Sequence, residues 1–233
     1  LKQLSHWTHQ LCDHVPLAYL TGEQEFWGLS LSIDARVLVP RPDTEILVEC
    51  ALERLPNAPA STQARALQAL DLGTGSGAIA LAIAQERRDV EIIACDISAE
   101  CLAVAETNSR ALGLPISVQL SDWFERIDQR FDVIVANPPY IDSEDSHLFQ
   151  LQAEPRAALV APNHGLADLQ AIIERAPAHL HRDGWLLLEH GYDQGMATRE
   201  LLTNRGFEKV GTRRDLGGNE RVSWGQLPVH EAD

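Results

Sequence analysis

From Ala66 onward, short apolar runs alternate with helical patterns. Ala66–Leu72 is almost wholly apolar and ends in Asp71-Leu72, and a helix-compatible stretch follows to about Arg87. Glu91–Asp96 is a second run and Ala99–Leu112 a second helix, and Ile116–Leu120 and Phe131–Ala136 give two more runs. Leu166–His181 then reads as a helix, Gly184–His190 as a strand, Gln194–Arg205 as a helix, and Glu208–Arg213 and Arg221–Leu227 as two closing strands. Runs such as Phe131–Ala136, with little polar alternation, fit strands covered on both faces. Their alternation with helices predicts an α/β fold of the doubly wound, Rossmann-like kind, with a mostly parallel sheet of seven strands. Ligands on such sheets bind at the carboxyl ends of the strands. The chemically suggestive residues of this chain stand there.

The part before Ala66 has a different character. Leu1, Leu4, Trp7, Leu11 and Val15 recur at helical spacing, and one such stripe cannot bury itself. Since the chain opens on Leu1 rather than Met, residues 1–17 are expected to be the end of a truncated N-terminal helical domain. Glu25–Ile33 reads as a hairpin around Gly28, and Pro40-Arg41-Pro42-Asp43 opens a helix with Ile46, Leu47, Cys50 and Ala51 on one face. The Pro/Ala/Ser/Thr-rich stretch Pro56–Gln63 is the candidate linker, which divides the chain into residues 1–17, a hairpin and linking helix over 18–62, and the main domain over 63–233. A formal charge of −15, from 34 acidic against 19 Lys and Arg residues, argues against a long-lived grip on a nucleic-acid backbone. Apolar runs such as Ala78–Ala84 are far too short to span a membrane. The four cysteines lack any C-x-x-C spacing, so a reducing, cytoplasmic setting is expected.

Asp71-Leu72-Gly73-Thr74-Gly75-Ser76-Gly77 joins the first strand to its helix. Glycines there let the backbone turn tightly and approach a ligand, with the helix amides facing it. The same text fits a dinucleotide fingerprint, or a tight turn that holds nothing. Asp96 ends the next strand, where an acid can accept both hydroxyls of a ribose. Asp122-Trp123 follows the third strand, and a carboxylate beside a flat ring suits an adenine, although a tryptophan there also reads as ordinary core. No lysine in the glycine turn calls for a phosphate. A nucleoside pocket accounts for all three strand ends together.

Asn137-Pro138-Pro139-Tyr140 leaves the fourth strand. Two prolines remove two amide donors and stiffen the loop, so the carbonyls of Asn137 and Pro138 and the Asn137 side-chain oxygen remain as acceptors around one point. Such a set fits a planar NH2 group, and Tyr140 can lie against the flat group that carries it. A rigid turn leaving a strand is the plainer reading, and the nucleoside pocket in the same sheet tips the balance against it.

Asp71–Gly77, Asp96, Asp122-Trp123 and Asn137–Tyr140, in that order, resemble the class I S-adenosylmethionine-dependent methyltransferases. Leu20-Thr21-Gly22, Glu25-Phe26-Trp27, Val39-Pro40-Arg41-Pro42-Asp43-Thr44-Glu45, Ser121-Asp122-Trp123-Phe124, Asn137–Asp142 and Leu187-Leu188-Glu189-His190-Gly191 narrow this. Over nearly the whole chain they resemble the peptide chain release factor glutamine-N5 methyltransferases, the PrmC/HemK family. The resemblance implies methyl transfer from S-adenosylmethionine, leaving S-adenosylhomocysteine, to the glutamine of the Gly-Gly-Gln motif of class 1 release factors. It implies that Asp71, Gly73, Thr74, Gly75, Ser76 and Gly77 surround the methionine part of the cofactor, that Asp96 takes the ribose, and that Asp122 and Trp123 serve the adenine. It implies that Asn137, Pro138, Pro139 and Tyr140 hold the substrate amide, with Asn137 also touching the cofactor and Asn137, Pro138 and Tyr140 carrying the chemistry. The alternative on the same tetrapeptide is an adenine-N6 methyltransferase on DNA or RNA, which needs a basic strand-binding face. An NAD-dependent oxidoreductase shares the glycine turn and Asp96 but leaves Asn137–Tyr140 without a use.

Three further features carry less. His6 and His9 could face one side of a helix, but no third ligand follows, and no metal is expected. Arg41, between two prolines, could meet a carboxylate of a ligand or of the protein. Glu189-His190 ends a strand near the pocket with no chemical step that needs it, which favours a structural role.

Overall fold

The computed structural model describes residues 2–57 and 65–229, so most of the proposed linker, residues 58–63, lies outside the described residues. In chain order the elements are α1 (Lys2–Cys12), α2 (Leu17–Thr21), β1 (Glu23–Phe26), β2 (Leu29–Ser32), α3 (Glu45–Arg54), β3 (Leu67–Leu72), α4 (Ala78–Glu86) and β4 (Val90–Asp96). They continue with α5 (Ala99–Leu112), β5 (Ser117–Leu120), β6 (Phe131–Ala136), α6 (Ala167–Arg175), β7 (Leu180–Glu189), α7 (Gly195–Asn204), β8 (Glu208–Arg214) and β9 (Glu220–Gln226). The hairpin β1–β2 stands apart from a seven-stranded sheet of order β5-β4-β3-β6-β7-β9-β8. Its first five strands pair in parallel, and β9 runs antiparallel to both β7 and β8.

Residue alternation sorts the sheet's two faces. Ala69, Val133, Val135 and Leu187 join one apolar cluster, and their neighbours Leu70, Ile134, Leu186 and Leu188 join the other. The first cluster takes in Ala78–Ala84 of α4 together with Leu47 of α3 and Phe26 and Leu31 of the hairpin. This explains why α4 is apolar all round: it is covered by the sheet on one side and by α3 and the hairpin on the other. The second cluster is closed by Leu169, Ile172 and Ile173 of α6 and Leu202 of α7. Asn108 of α5 fixes the hairpin's position, accepting from Ser32 N (2.8 Å) and donating to the carbonyls of Ser32 (3.1 Å) and Ser76 (3.0 Å). No helix among the described residues is long and apolar enough to cross a membrane.

Two element boundaries differ from the sequence reading. The helix expected over Leu166–His181 ends at Arg175, passes through a 3-10 turn at Ala176–His179, and gives way to β7 at Leu180. Pro177 causes this, because it lacks an amide hydrogen and its ring clashes with the preceding turn of an α-helix. The helix opened by Pro40–Asp43 is likewise preceded by a 3-10 turn at Pro42–Thr44. The strand order reverses between β3 and β6, and the crevice outside that switch point is the position for a ligand. The glycine turn after β3, Asp96 at the end of β4 and Asn137 after β6 all open onto it.

Candidate active site

A cleft of about 590 Å³ lies at this crevice, within the size range of small-molecule sites. Gly73, Gly75, Asp96, Asp122, Trp123, Asn137 and Pro139 line it. The amides of Gly73 and Thr74 both donate to the Cys95 carbonyl at 2.9 Å, which staples the turn to the end of β4. The Gly75 amide donates to Asp96 Oδ2 (2.9 Å), while Asp96 Oδ1 accepts from Ser98 N (2.9 Å). Each carboxylate oxygen has room for a second donor, so Asp96 can still take hydroxyls from the cleft. A Cβ on Gly75 would meet nothing within 4 Å, so the absence of a side chain there leaves open space to a ligand. Trp123 is held with φ 45, and its ring lies against Gly73, where a Cβ would be 3.4 Å from Trp123 Cζ3. Backbone strain at a bulky residue is characteristic of functional loops. The Trp123 carbonyl is fixed by Ser121 Oγ at 2.8 Å.

Other sequence-selected residues stand behind this wall. Asp71, Thr74 and Ser76 are buried. Asp71 Oδ2 accepts from Thr74 Oγ1 (2.6 Å) and from Ala80 N (3.3 Å), bracing the turn against the start of α4. Burial is the main force on this carboxyl and pushes it up to about 7, against the pull of those two hydrogen bonds. Gly77 caps α4 with φ 85, and a Cβ there would lie 3.2 Å from Ala105 Cβ, so its smallness sets the approach of α5 to α4.

Asn137 lines the cleft and also a narrower slot of about 170 Å³ shared with Leu38, Arg41, Pro138, Tyr140 and Leu151. Asn137 Nδ2 donates to Thr44 Oγ1 (3.3 Å), which leaves Oδ1 as an acceptor. Tyr140 is held at both ends: its hydroxyl donates to Glu189 Oε1 (3.2 Å) and its carbonyl accepts from Gln194 Nε2 (2.9 Å). Burial, and next the Glu189 carboxylate, raise the Tyr140 hydroxyl well above its ordinary value, so it stays protonated. Burial likewise pushes Glu189 up to about 7, opposed by the Thr44 hydroxyl, Arg221 and the Tyr140 hydroxyl.

Sequence reasoning missed the outer wall. Leu38 from the segment after β2, and Pro155 and Ala158 from the stretch between β6 and α6, cover the cleft. They are joined by Glu154, a buried residue whose carboxylate pairs with Arg41 and accepts from Val39 N (3.1 Å). Arg41 therefore meets a carboxylate of the protein. No periodicity marks these segments; the available signal was the isolated Arg between prolines. Asp168 of α6 also lines the cleft, close to the Trp123 ring. The His6 side chain lies outside the described residues, and among the described residues no group of three His, Cys, Asp or Glu side chains is arranged to hold a metal ion.

Comparison with known proteins agrees with this geometry. A family model described as methyltransferase small domain matches residues 44–158. The release factor glutamine methyltransferase of Yersinia pestis is 50% identical over 217 residues, covering 92% of this chain and 76% of that protein. The chain belongs to the release factor glutamine methyltransferase family. The Pseudomonas aeruginosa member is 48% identical over 97% of this chain and 80% of its own length. Membership makes the chain an S-adenosylmethionine-dependent methyltransferase. The fold is shared more widely. A methyltransferase from Pyrococcus furiosus superposes with a TM-score of 0.65 at 17% identity, covering 97% of this chain and 99% of that one. A Thermus thermophilus 16S rRNA methyltransferase, solved with AdoMet and guanosine, gives 0.60 at 22% identity, covering 88% of this chain and 49% of that one.

Proposed function

We propose that this chain methylates the side-chain amide nitrogen of the glutamine in the Gly-Gly-Gln motif of class 1 peptide chain release factors. The observation that carries the reading is the place of Asn137, which faces both the nucleoside-sized cleft and the narrow slot. The acceptor loop thus stands where a cofactor in one chamber and an amide in the other come together. The cleft suits S-adenosylmethionine: Asp96 for the ribose, Asp122 and Trp123 for the adenine, and the glycine turn with its open space over Gly75 for the methionine part. When bound, this cofactor supplies an electrophilic methyl group on a sulfonium.

The remaining task of the protein is to improve a poor nucleophile, because an amide lone pair is delocalised into its carbonyl. Asn137 Oδ1 and the carbonyls left bare by Pro138 and Pro139 accept the two amide hydrogens, which orients the nitrogen and raises its electron density. The same fixed dipoles stabilise the positive charge that grows on nitrogen in the transition state. The methylated cation is strongly acidic, so no dedicated base is required beside Asn137. Tyr140, kept neutral by its buried surroundings, gives the amide a flat wall. A net charge of −15 suits a basic, RNA-facing loop as substrate and disfavours a retained nucleic acid.

The test is transfer of labelled methyl from S-adenosylmethionine to a release factor, to its Gln→Glu variant at the Gly-Gly-Gln motif, and to duplex DNA. Label is expected on the first substrate only, because a carboxylate offers no hydrogens to the acceptors. Label on DNA, or equal labelling of the Gln→Glu variant, contradicts the reading.

A further inference from the structure

Glu189 is the last residue of β7 and only 1% exposed. Its Oε1 takes the Tyr140 hydroxyl, and its Oε2 is buried without a hydrogen-bond partner among the described residues. A buried carboxyl incompletely satisfied is an expensive choice where a glutamine would fit the same space. What distinguishes the two is polarity. An ionised carboxylate only accepts, whereas a glutamine amide also donates.

That difference reaches Asn137 through Thr44. The Thr44 hydroxyl lies beside the Glu189 carboxyl, whose ionised form it favours, with no hydrogen bond of ordinary geometry between them, and it receives the Asn137 side-chain N–H at 3.3 Å. A hydroxyl has one hydrogen. If that hydrogen is drawn to Glu189, Thr44 can only accept from Asn137, and Asn137 must turn its Nδ2 inward and its Oδ1 to the slot. With a donor in place of Glu189 the chain can run the other way: Thr44 donates to Asn137 Oδ1, and the NH2 of Asn137 faces the substrate NH2. Donor would then meet donor where the reaction needs an acceptor.

We propose that Glu189 is a positioning residue for methyl transfer, acting through Thr44 to make Asn137 present its oxygen to the substrate amide and through the Tyr140 hydroxyl to hold the facing ring. The proposal rests on the glutamine-methylation reading of the same site. It gives the Glu189-His190 segment a role that the sequence left open. The neighbouring His190 takes no part, since its Nδ1 bonds to the Gly191 carbonyl (2.8 Å) and its Nε2 to Ser223 Oγ (2.8 Å).

The experiment compares the parent chain with Glu189→Gln, Thr44→Val and the double variant. It measures kcat above pH 7, where the Glu189 carboxyl is ionised, at saturating cofactor and release factor, and the Kd of S-adenosylhomocysteine by calorimetry. Glu189→Gln is isosteric and removes a buried charge, so the fold is retained. Each single variant is expected to lower kcat by about tenfold or more, with Kd within about threefold of the parent. The double variant is expected to be no slower than the slower single, because both changes break one relay. Turnover of Glu189→Gln within about twofold of the parent, or a double variant whose loss is the product of the two singles, overturns the proposal. A parent chain that fails to methylate any release factor contradicts the functional reading instead, and the two failures are told apart by that control.

Discussion

Gly165 offers a test of how tightly the acceptor loop must be held. It follows Asn163 and His164, and all three have positive φ, with Gly165 at 78. A Cβ added there would stand 2.0 Å from the Tyr140 carbonyl oxygen and 2.6 Å from Gln194 Nε2. The first of these is backbone, which cannot rotate away. Restoring an ordinary contact requires a movement on the order of 1 Å, at the residue whose ring walls the slot. It also breaks the Gln194–Tyr140 hydrogen bond of 2.9 Å. Left-handed backbone costs a non-glycine residue about 1–2 kcal/mol. With the lost hydrogen bond, Gly165→Ala is expected to destabilise the fold by about 2–4 kcal/mol. A displacement of this size near reacting groups lowers turnover by about 100-fold. The atoms nearest a Gly165 Cβ belong to Tyr140 and Gln194, neither of which lines the cofactor cleft, so cofactor affinity is expected to stay near the parent's. The assay is kcat for methylation of a release factor, at a temperature where circular dichroism shows both proteins folded, beside calorimetry with S-adenosylhomocysteine. Turnover above about one third of the parent's would refute the reasoning, because it would mean the loop tolerates the shift without consequence.

Asp96→Ala removes the acceptor for Gly75 and Ser98 and the carboxylate proposed to take the ribose, and is expected to weaken S-adenosylhomocysteine binding by about 2–4 kcal/mol in calorimetry. Asn137→Ala is expected to slow methylation by about 100-fold while cofactor affinity changes much less, as read by steady-state kinetics beside calorimetry. Glu189→Gln has a pH signature in stability. The folded carboxyl is raised from 4.5 to about 7, so the native state binds the extra proton between those values, and wild-type stability falls as pH rises through that window. The glutamine variant lacks this loss. Its stability advantage is expected to grow by up to about 3 kcal/mol from pH 4.5 to pH 7 in urea melts, and an advantage that shrinks with rising pH would contradict it.

The strands and the loop positions were legible because β3, β4 and β6 are buried on both faces and carry their chemistry at their ends. Leu67–Leu72, Val90–Asp96 and Phe131–Ala136 are apolar for that reason, and Asp71, Asp96 and Asn137 stand out against them. The end of α6 is hidden in the sequence because the apolar periodicity runs on past Pro177, although that one proline is enough to stop the α-helix. The outer wall left a single sign in the sequence, Arg41 between two prolines. Leu38, Pro155 and Ala158 come from segments without regular periodicity, brought together by the Arg41–Glu154 pair across 113 residues of sequence. Such a long-range ion pair leaves no local pattern. The same holds for Thr44 and Glu189, whose meaning depends on what they face rather than on their neighbours in the chain.

The central claim is that the Asn137–Tyr140 loop receives a glutamine side chain, and the most direct measurement is the location of the product. A release factor incubated with this chain and S-adenosylmethionine would be digested and the peptide bearing its Gly-Gly-Gln motif fragmented by tandem mass spectrometry. One methyl group is expected on that peptide, carried by the glutamine side chain and released as methylamine on acid hydrolysis. A methyl group on any other residue, or a glutamine that remains unmodified while label accumulates elsewhere, would contradict it.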